Sequence, residues 1–197
     1  MENKKLAILL DYADLNDGYV SVAEAKGLGI AQTYLQMAVE GGQFEKVAKG
    51  LYLKKGYNPD PYYVIHHTYR RVVFSFKSAM RLQGLLEEED GDIHLYLPIN
   101  YMTKGIDGCS CRHVGNKEFN LGQCLAITPH GTLVPTFDKE RCFIELLRYP
   151  EKFEEEQYKN LLKKAPSWGL DKDKLREYAE AFNVIDALKV VYRLFGF

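Results

Sequence analysis

Residues 18–55 read GYVSVAEAKGLGIAQTYLQMAVEGGQFEKVAKGLYLKK, and this stretch decides how the first part of the chain folds. Ser21 is followed three residues later by Glu24, at the head of an apolar-periodic run, which is the signature of a capping box at a helix start. The helix that begins there is predicted to cover residues 22–28. It is predicted to end at Gly29, because glycine tolerates the left-handed conformation of a tight turn.

A second helix is predicted over residues 31–40, before Gly41 and Gly42 end it. Four of its residues recur at helical spacing and are expected to share one buried face: Ala31, Leu35, Ala38 and Val39. The opposite face is mainly polar and carries Gln32, Thr33, Gln36 and Met37. Two strand-like runs follow within residues 44–54, on either side of Lys49 and Gly50, and predict a short hairpin.

Two helices joined by a short turn that contains glycine are typical of a helix-turn-helix. The hairpin that follows them corresponds to the wing of a winged helix-turn-helix. A helix over residues 4–15 and a short strand at Tyr19 and Val20 complete the predicted order. The second helix of such a motif enters the major groove of DNA, with its first residues at the base edges. Glutamine pairs with adenine, and threonine contacts either a base edge or the thymine methyl group. We therefore predict base contacts from Gln32, Thr33 and Gln36.

Contacts to the DNA backbone are predicted from the helix flank and from the hairpin. Tyr34 supplies the flank, and the hairpin supplies Lys46, Lys49, Lys54 and Lys55. Phosphate contacts of this kind position a protein on DNA without reading its sequence. Residues 1–56 contain seven lysines and seven acidic residues, so the predicted DNA-binding domain is neutral overall. We therefore expect a modest, salt-sensitive affinity with few phosphate contacts.

The chain has 197 residues, which is enough for two small domains. Two prolines and a glycine within residues 56–61 predict a linker between a first domain, 1–56, and a second, 62–197. Strand-like runs come first in the second domain, and helical periodicity takes over from Lys139 to the end. The predicted fold class is α+β: an N-terminal winged helix-turn-helix, then a mixed α/β C-terminal domain that ends in a helical bundle.

The composition is ordinary for a globular protein, with 27% charged and 46% apolar residues. No apolar run approaches the roughly 20 residues that cross a bilayer, so we expect a cytoplasmic protein without a membrane partner. In that compartment cysteines are expected to be free thiols. The chain has four of them: Cys109, Cys111, Cys124 and Cys142.

The sequence does not contain a motif that identifies a catalytic residue. A Gly-x-Ser-x-Gly elbow, a His-Glu-x-x-His motif and a phosphate-binding loop are all missing. Cys109-Ser-Cys-Arg-His113 is a poor match to structural zinc sites. His66-His67 with Arg70-Arg71 is interpreted as the polar end of a helix, and the acidic run 87–92 as a solvated turn. We predict no catalytic residue, no cofactor, no metal and no enzyme activity.

Several segments together resemble a known family, the AbiEi antitoxins of bacterial abortive-infection (type IV) toxin–antitoxin systems, which provide phage resistance. Gly18-Tyr-Val-Ser-Val-Ala-Glu-Ala25, Leu28-Gly-Ile30 and Lys49-Gly-Leu-Tyr52 are similar to the N-terminal domain of that family. Further along, 74–79, 95–98 and 136–148 resemble segments of its C-terminal domain. The chain differs at Ala31, where the family often has a capping serine, and at Gln32, where arginine is common.

The resemblance implies a function. Members of this family are two-domain regulators whose winged helix binds inverted repeats upstream of the toxin–antitoxin operon and represses it. Their C-terminal domain is implied to counter a nucleotidyltransferase-like toxin encoded alongside, without forming a stable complex with it. Two other functions stay open at this point: a toxin-sequestering module that does not bind DNA, and a nucleic-acid-processing enzyme.

Overall fold

The computed structural model describes residues 2–87, 91–103 and 105–196, and the chain forms two compact units. The first unit comprises residues 1–70 and 127–133, and the second comprises residues 71–126 and 134–197. The fold is a mixture of helices and strands that ends in a run of helices, which confirms the predicted α+β class. The prediction that residues 56–61 link two independently folding domains stays a prediction.

The first unit contains the predicted order of helix, strand, helix, turn, helix and hairpin. Its elements are α1 (Glu2–Asp14), β1 (Tyr19–Ser21), α2 (Val22–Gly27), α3 (Gln32–Glu40), β2 (Phe44–Ala48), β3 (Leu51–Lys54) and α4 (Pro61–Thr68). The three strands form an antiparallel sheet in the order β1-β3-β2, so β3 lies at its centre.

Local hydrogen bonds explain where these helices begin. The Ser21 hydroxyl accepts from the amide of Glu24, and the Glu24 carboxylate accepts from the amide of Ser21 at 2.6 Å. The predicted capping box is therefore confirmed. Gly29, in the turn between α2 and α3, has φ of +73°, a conformation that favours glycine. The Asp60 carboxylate caps α4 by accepting from the first amides of that helix.

The sheet of the first unit is buried on both faces. Tyr52 and Val20, which pair across strands, belong to the core cluster formed with α1, α2 and α3. Leu51 and Leu53 belong to a separate cluster, against which Tyr63 of α4 packs. Because successive residues of a strand point to opposite sides, β3 contributes side chains to both clusters.

The second unit contains most of the remaining elements. After α4 the chain forms β4 (Val73–Phe74), α5 (Phe76–Leu82), β5 (Ile93–Pro98), β6 (Cys109–Val114), α6 (Asn116–Asn120), β7 (Gln123–Ile127), β8 (Leu133–Phe137), α7 (Lys139–Arg148), α8 (Glu155–Lys164), α9 (Lys172–Ala181) and α10 (Ile185–Phe195). Strands β4 and β5 pair antiparallel, and β5 and β6 pair parallel. Within the described residues no helix combines the length and the apolar composition that crossing a bilayer requires.

A buried charge network holds α7 in the core of the second unit. The Arg141 Nε donates to one oxygen of Glu145 at 3.0 Å, and the Tyr96 hydroxyl donates to the other at 2.5 Å. Arg141 also donates to the backbone carbonyls of Leu121 and Glu118. Burial, and then the Glu145 charge, raise the pKa of Tyr96, so its hydroxyl stays protonated. A buried charge is costly unless it is paired and hydrogen-bonded, and this network meets both conditions.

Replacement of Glu145 by alanine leaves the buried Arg141 guanidinium without its carboxylate. We expect the free energy of unfolding to fall by about 3–5 kcal/mol, which is typical of a buried pair that loses one partner. Urea unfolding followed by fluorescence measures this change. Trp168 is the one tryptophan of the chain and packs on Phe143 in the same unit, with ring centroids 6.1 Å apart.

Glu155→Ala is the matched control, because it breaks the exposed ion pair between Glu155 and Lys159 on α8. Exposed pairs contribute little to stability, so the unfolding midpoint should stay nearly unchanged. Equal losses from the two variants would contradict the structural role that we assign to the Glu145 carboxylate.

Candidate nucleic-acid interface

Helix α3 buries one side and exposes the other. Leu35 and Ala38 are buried in the core of the first unit. The three predicted base-contacting side chains, Gln32, Thr33 and Gln36, are all exposed. They occupy positions i, i+1 and i+4, so they lie together on one flank at the start of the helix. We call these three residues the polar flank of α3.

The start of α3 differs from the sequence-based expectation. Ala31 is exposed, so the prediction that it shares the buried face was wrong. Ala31 is the N-cap residue, with φ of −71° and ψ of 149°, and therefore lies outside the helical periodicity. No side-chain oxygen caps the amides at this end of the helix. Among them, the amide of Tyr34 donates to the backbone carbonyl of Ala31 at 3.0 Å. A helix start without a side-chain cap is a feature that suits contact with an anion.

The four hairpin lysines fall into two pairs. Lys54 donates to both carboxylate oxygens of Asp14, at 2.5 and 2.7 Å, and Lys55 pairs with Glu45 at 2.5 Å. Lys46 and Lys49 are exposed, and neither has an ion-pair partner in the part of the chain that the structure describes. Of the four hairpin lysines, Lys46 and Lys49 are therefore the two whose charges are available for an anionic partner.

The register of the sheet places Lys46 on the same face of the sheet as α3. Lys46 lies opposite Tyr52, whose ring packs in the cluster formed with α1, α2 and α3. Directly paired residues in antiparallel strands share a face, so Lys46 lies on the face of the sheet that α3 covers. Helix α3 also packs on β2, the strand that carries Lys46. Lys49 lies at the turn between β2 and β3, next to Gly50, whose φ is +75°.

Tyr34 is part of the packing of α3. Its ring is partly buried against the core of the first unit, and the Lys5 ammonium lies 4.5 Å from the ring centroid. Lys5 therefore adds a cation next to α3 that was not part of the sequence-based prediction. The two residues are far apart in the chain, and no local pattern links a lysine on α1 to a tyrosine on α3.

The other candidate clusters lie on other elements of the chain. His66 and His67 lie on α4, where burial lowers the pKa of both rings. Burial raises the pKa of the Cys109 thiol to about 12. Across residues 2–87, 91–103 and 105–196, no group of three His, Cys, Asp or Glu side chains is placed to hold a metal ion. The predicted acidic turn at 87–92 lies partly outside the described residues.

Comparisons with known proteins concern the fold. Neither the protein-family models nor the curated proteins gave a match to this chain. Among solved structures, the chain is similar to the crystal structure of the RV2827C protein from Mycobacterium tuberculosis, with a TM-score of 0.58. The likeness covers 88% of this chain and 70% of that chain at 15% sequence identity. The two proteins therefore share an α+β arrangement over most of their length.

Proposed function

We propose that this protein is a winged helix-turn-helix transcriptional autorepressor and antitoxin of the AbiEi type. Residues 1–56 form the winged helix and bind inverted repeats in double-stranded DNA upstream of the operon that encodes the protein. The C-terminal part counters a nucleotidyltransferase-like toxin without forming a stable complex. The protein acts in the cytoplasm through binding, without catalysis.

The polar flank of α3 is the observation that carries the DNA-binding proposal. A glutamine amide has one donor and one acceptor side, which match the two groups that adenine presents in the major groove. Gln32 and Gln36 are separated by about 6 Å along the helix axis. That distance is close to two base-pair steps of about 3.4 Å each. One flank can therefore read two base pairs that lie two steps apart in a single half-site.

Lys46 and Lys49 account for the expected strength of binding. Two phosphate contacts from the hairpin give a salt dependence of roughly −2 in the log–log slope for each copy of the protein. Lys54 and Lys55 are already paired with acidic side chains. They contribute less, because contact with phosphate requires that they leave these partners. A small slope agrees with the neutral charge of residues 1–56.

The antitoxin part of the proposal is supported by the family resemblance. The resembling segments contribute residues to the interior of the second unit, among them Tyr96, Arg141 and Glu145 of the buried network. Side chains of this kind preserve a fold, so the resemblance favours a shared architecture for the toxin-countering part. The partner itself is proposed from the family.

Lys46→Ala combined with Lys49→Ala should weaken binding to every DNA sequence and lower the salt slope by roughly one unit per lost phosphate contact. Gel-shift titrations over a range of salt concentrations measure the slope on two duplexes of equal length. One duplex comes from the region upstream of the operon, and the other has a random sequence.

The matched control is Lys163→Ala with Lys164→Ala, which removes two exposed lysines from the last turn of α8. This variant should leave the slope unchanged. An unaltered slope in the hairpin variant, or an equal fall in the control, would remove the hairpin from the proposed interface.

Gln36→Ala should instead act on sequence preference. We expect the affinity for the operator duplex to fall by about 1–3 kcal/mol, which is typical of one lost base contact, with little change on random DNA. The same titrations provide the ratio of the two affinities. A uniform loss on both duplexes would contradict a base-reading role for Gln36.

Coexpression with a neighbouring nucleotidyltransferase-like reading frame tests the antitoxin part. Growth should recover when the full chain is present, and affinity purification of the chain should not retain the toxin. Persistent toxicity would overturn the antitoxin assignment. Recovery together with a stable pair would instead favour the toxin-sequestering alternative.

A further inference from the structure

A cavity of about 310 Å³ opens on one face of the β5–β6 pair in the second unit. Phe76 contributes apolar surface to its lining, and Leu95 and Cys111 also border it. Four further lining residues have side chains that can donate hydrogen bonds: His94, Ser110, Arg112 and Lys152. A concave site with apolar walls and a few convergent polar groups is typical of small-molecule binding.

The parallel register of β5 and β6 brings these groups together. His94 lies opposite Ser110, and Tyr96 lies opposite Arg112. Because alternate residues of a strand point to the same side, these positions share one face of the sheet. The ring of Tyr149 packs edge-on against Phe76, with centroids 5.3 Å apart, and a short 3-10 turn directly after it carries Lys152.

The two permanent cations of the cavity are not neutralised. Arg112 is exposed, with its guanidinium 4.6 Å from the ring centroid of Tyr149, and Lys152 is exposed as well. In the described part of the chain neither of them forms an ion pair. Glu118, whose charge acts on Arg112, is itself paired with Arg148 at 2.9 Å. The cavity therefore contains positive charge without a protein counterion.

His94 lies in the positive field of several cations, of which Lys152 is the one that also lines the cavity. Its backbone amide donates to the Ser78 hydroxyl, and its ring packs on Phe76, but its ring nitrogens have no hydrogen-bond partner among the described residues. Burial, and then the charges of Lys77 and Arg81, lower the pKa of His94; Lys152 acts in the same direction and Asp92 in the opposite one. A bound anion would offset this repulsion and accept a hydrogen bond from the imidazole.

The backbone at the rim of the cavity is strained. Phe76 has φ of +45°, in the left-handed region that a bulky side chain rarely adopts. Such conformations persist where the surrounding structure enforces them, and they concentrate at ligand-binding sites. At Phe76 the strained backbone places an aromatic wall beside His94.

We propose that this cavity binds a small phosphate monoester. Arg112 and Lys152 hold the phosphate dianion, Ser110 and His94 donate further hydrogen bonds, and the organic part packs against Phe76. Arginine suits this role because its guanidinium donates two parallel hydrogen bonds to phosphate. The volume is at the lower end of the roughly 300–1,000 Å³ of small-molecule sites, which limits the ligand to about the size of a mononucleotide. This site goes beyond the proposed DNA binding, and its test requires no DNA.

Isothermal titration of the full chain with AMP, adenosine and inorganic phosphate tests the proposal. We expect saturable binding of AMP at one site, weaker binding of inorganic phosphate and no binding of adenosine. Proton NMR of the His94 ring should show its pKa rising when AMP is bound, because the phosphate supplies negative charge. Absence of AMP binding, equal binding of adenosine, or an unmoved His94 pKa would overturn the proposal.

Arg112→Gln and Lys152→Gln should each weaken AMP binding about tenfold or more, as expected for the loss of a charge-assisted hydrogen bond. Both side chains are exposed, and unfolding followed by Trp168 fluorescence verifies that each variant is folded. Arg176→Gln is the matched control, because Arg176 is an exposed cation of the same unit that is not part of the cavity lining. An equal loss of AMP affinity in this control would show that binding depends on the overall charge of the protein, which would contradict the proposed site.

Discussion

The burial of Leu35 and Ala38 is the constraint on which the proposed function depends. Full burial of a leucine side chain stabilises a protein by about 1.5–3 kcal/mol. If α3 were rotated by half a turn, Leu35 would be exposed, and the amides of Gln32 and Gln36 would be buried at a cost of about 1–3 kcal/mol each. These costs are a large part of the net stability of about 5–15 kcal/mol that folded proteins have. The polar flank therefore faces water, because the opposite side of the helix carries Leu35 and Ala38, whose exposure would cost stability.

Strand β3 extends the same constraint to the hairpin. Tyr52 packs on one face of the sheet, while Leu51 and Leu53 pack on the other against α4, so this central strand is held from both sides. Strand β2 pairs with it in a defined register and carries Lys46 on the face of α3. Within residues 1–56, which are neutral overall, Lys54 is paired with Asp14 and Lys55 with Glu45. What is left is two hairpin lysines, Lys46 and Lys49, whose charges are available to an anionic partner although residues 1–56 have no net positive charge.

Signals within a few residues of one another predicted much of the fold and the polar flank. The capping box at Ser21, the glycine turn after α2 and the helical periodicity of α3 are local, because they depend on hydrogen bonds and burial within one or two turns. The prediction for Ala31 was wrong, since a capping residue lies outside the periodicity that surrounds it. Helix α6 was not predicted, and it is five residues long. The ion pair between Lys54 and Asp14 spans 40 residues, and the cavity around His94 depends on the parallel register of β5 and β6. Neither leaves a pattern in the sequence, because side chains from distant elements meet only after the chain has folded.

Amide chemical-shift mapping of the isotope-labelled full chain, titrated with a duplex from upstream of its operon, measures whether the start of α3 contacts DNA. We expect the largest shifts on residues 31–36 at the start of α3 and on the hairpin around Lys46 and Lys49. The amides of α8, α9 and α10 should stay in place. Largest shifts on those three helices, or an unperturbed α3 at saturating DNA, would contradict the assignment of α3 as the helix that reads DNA.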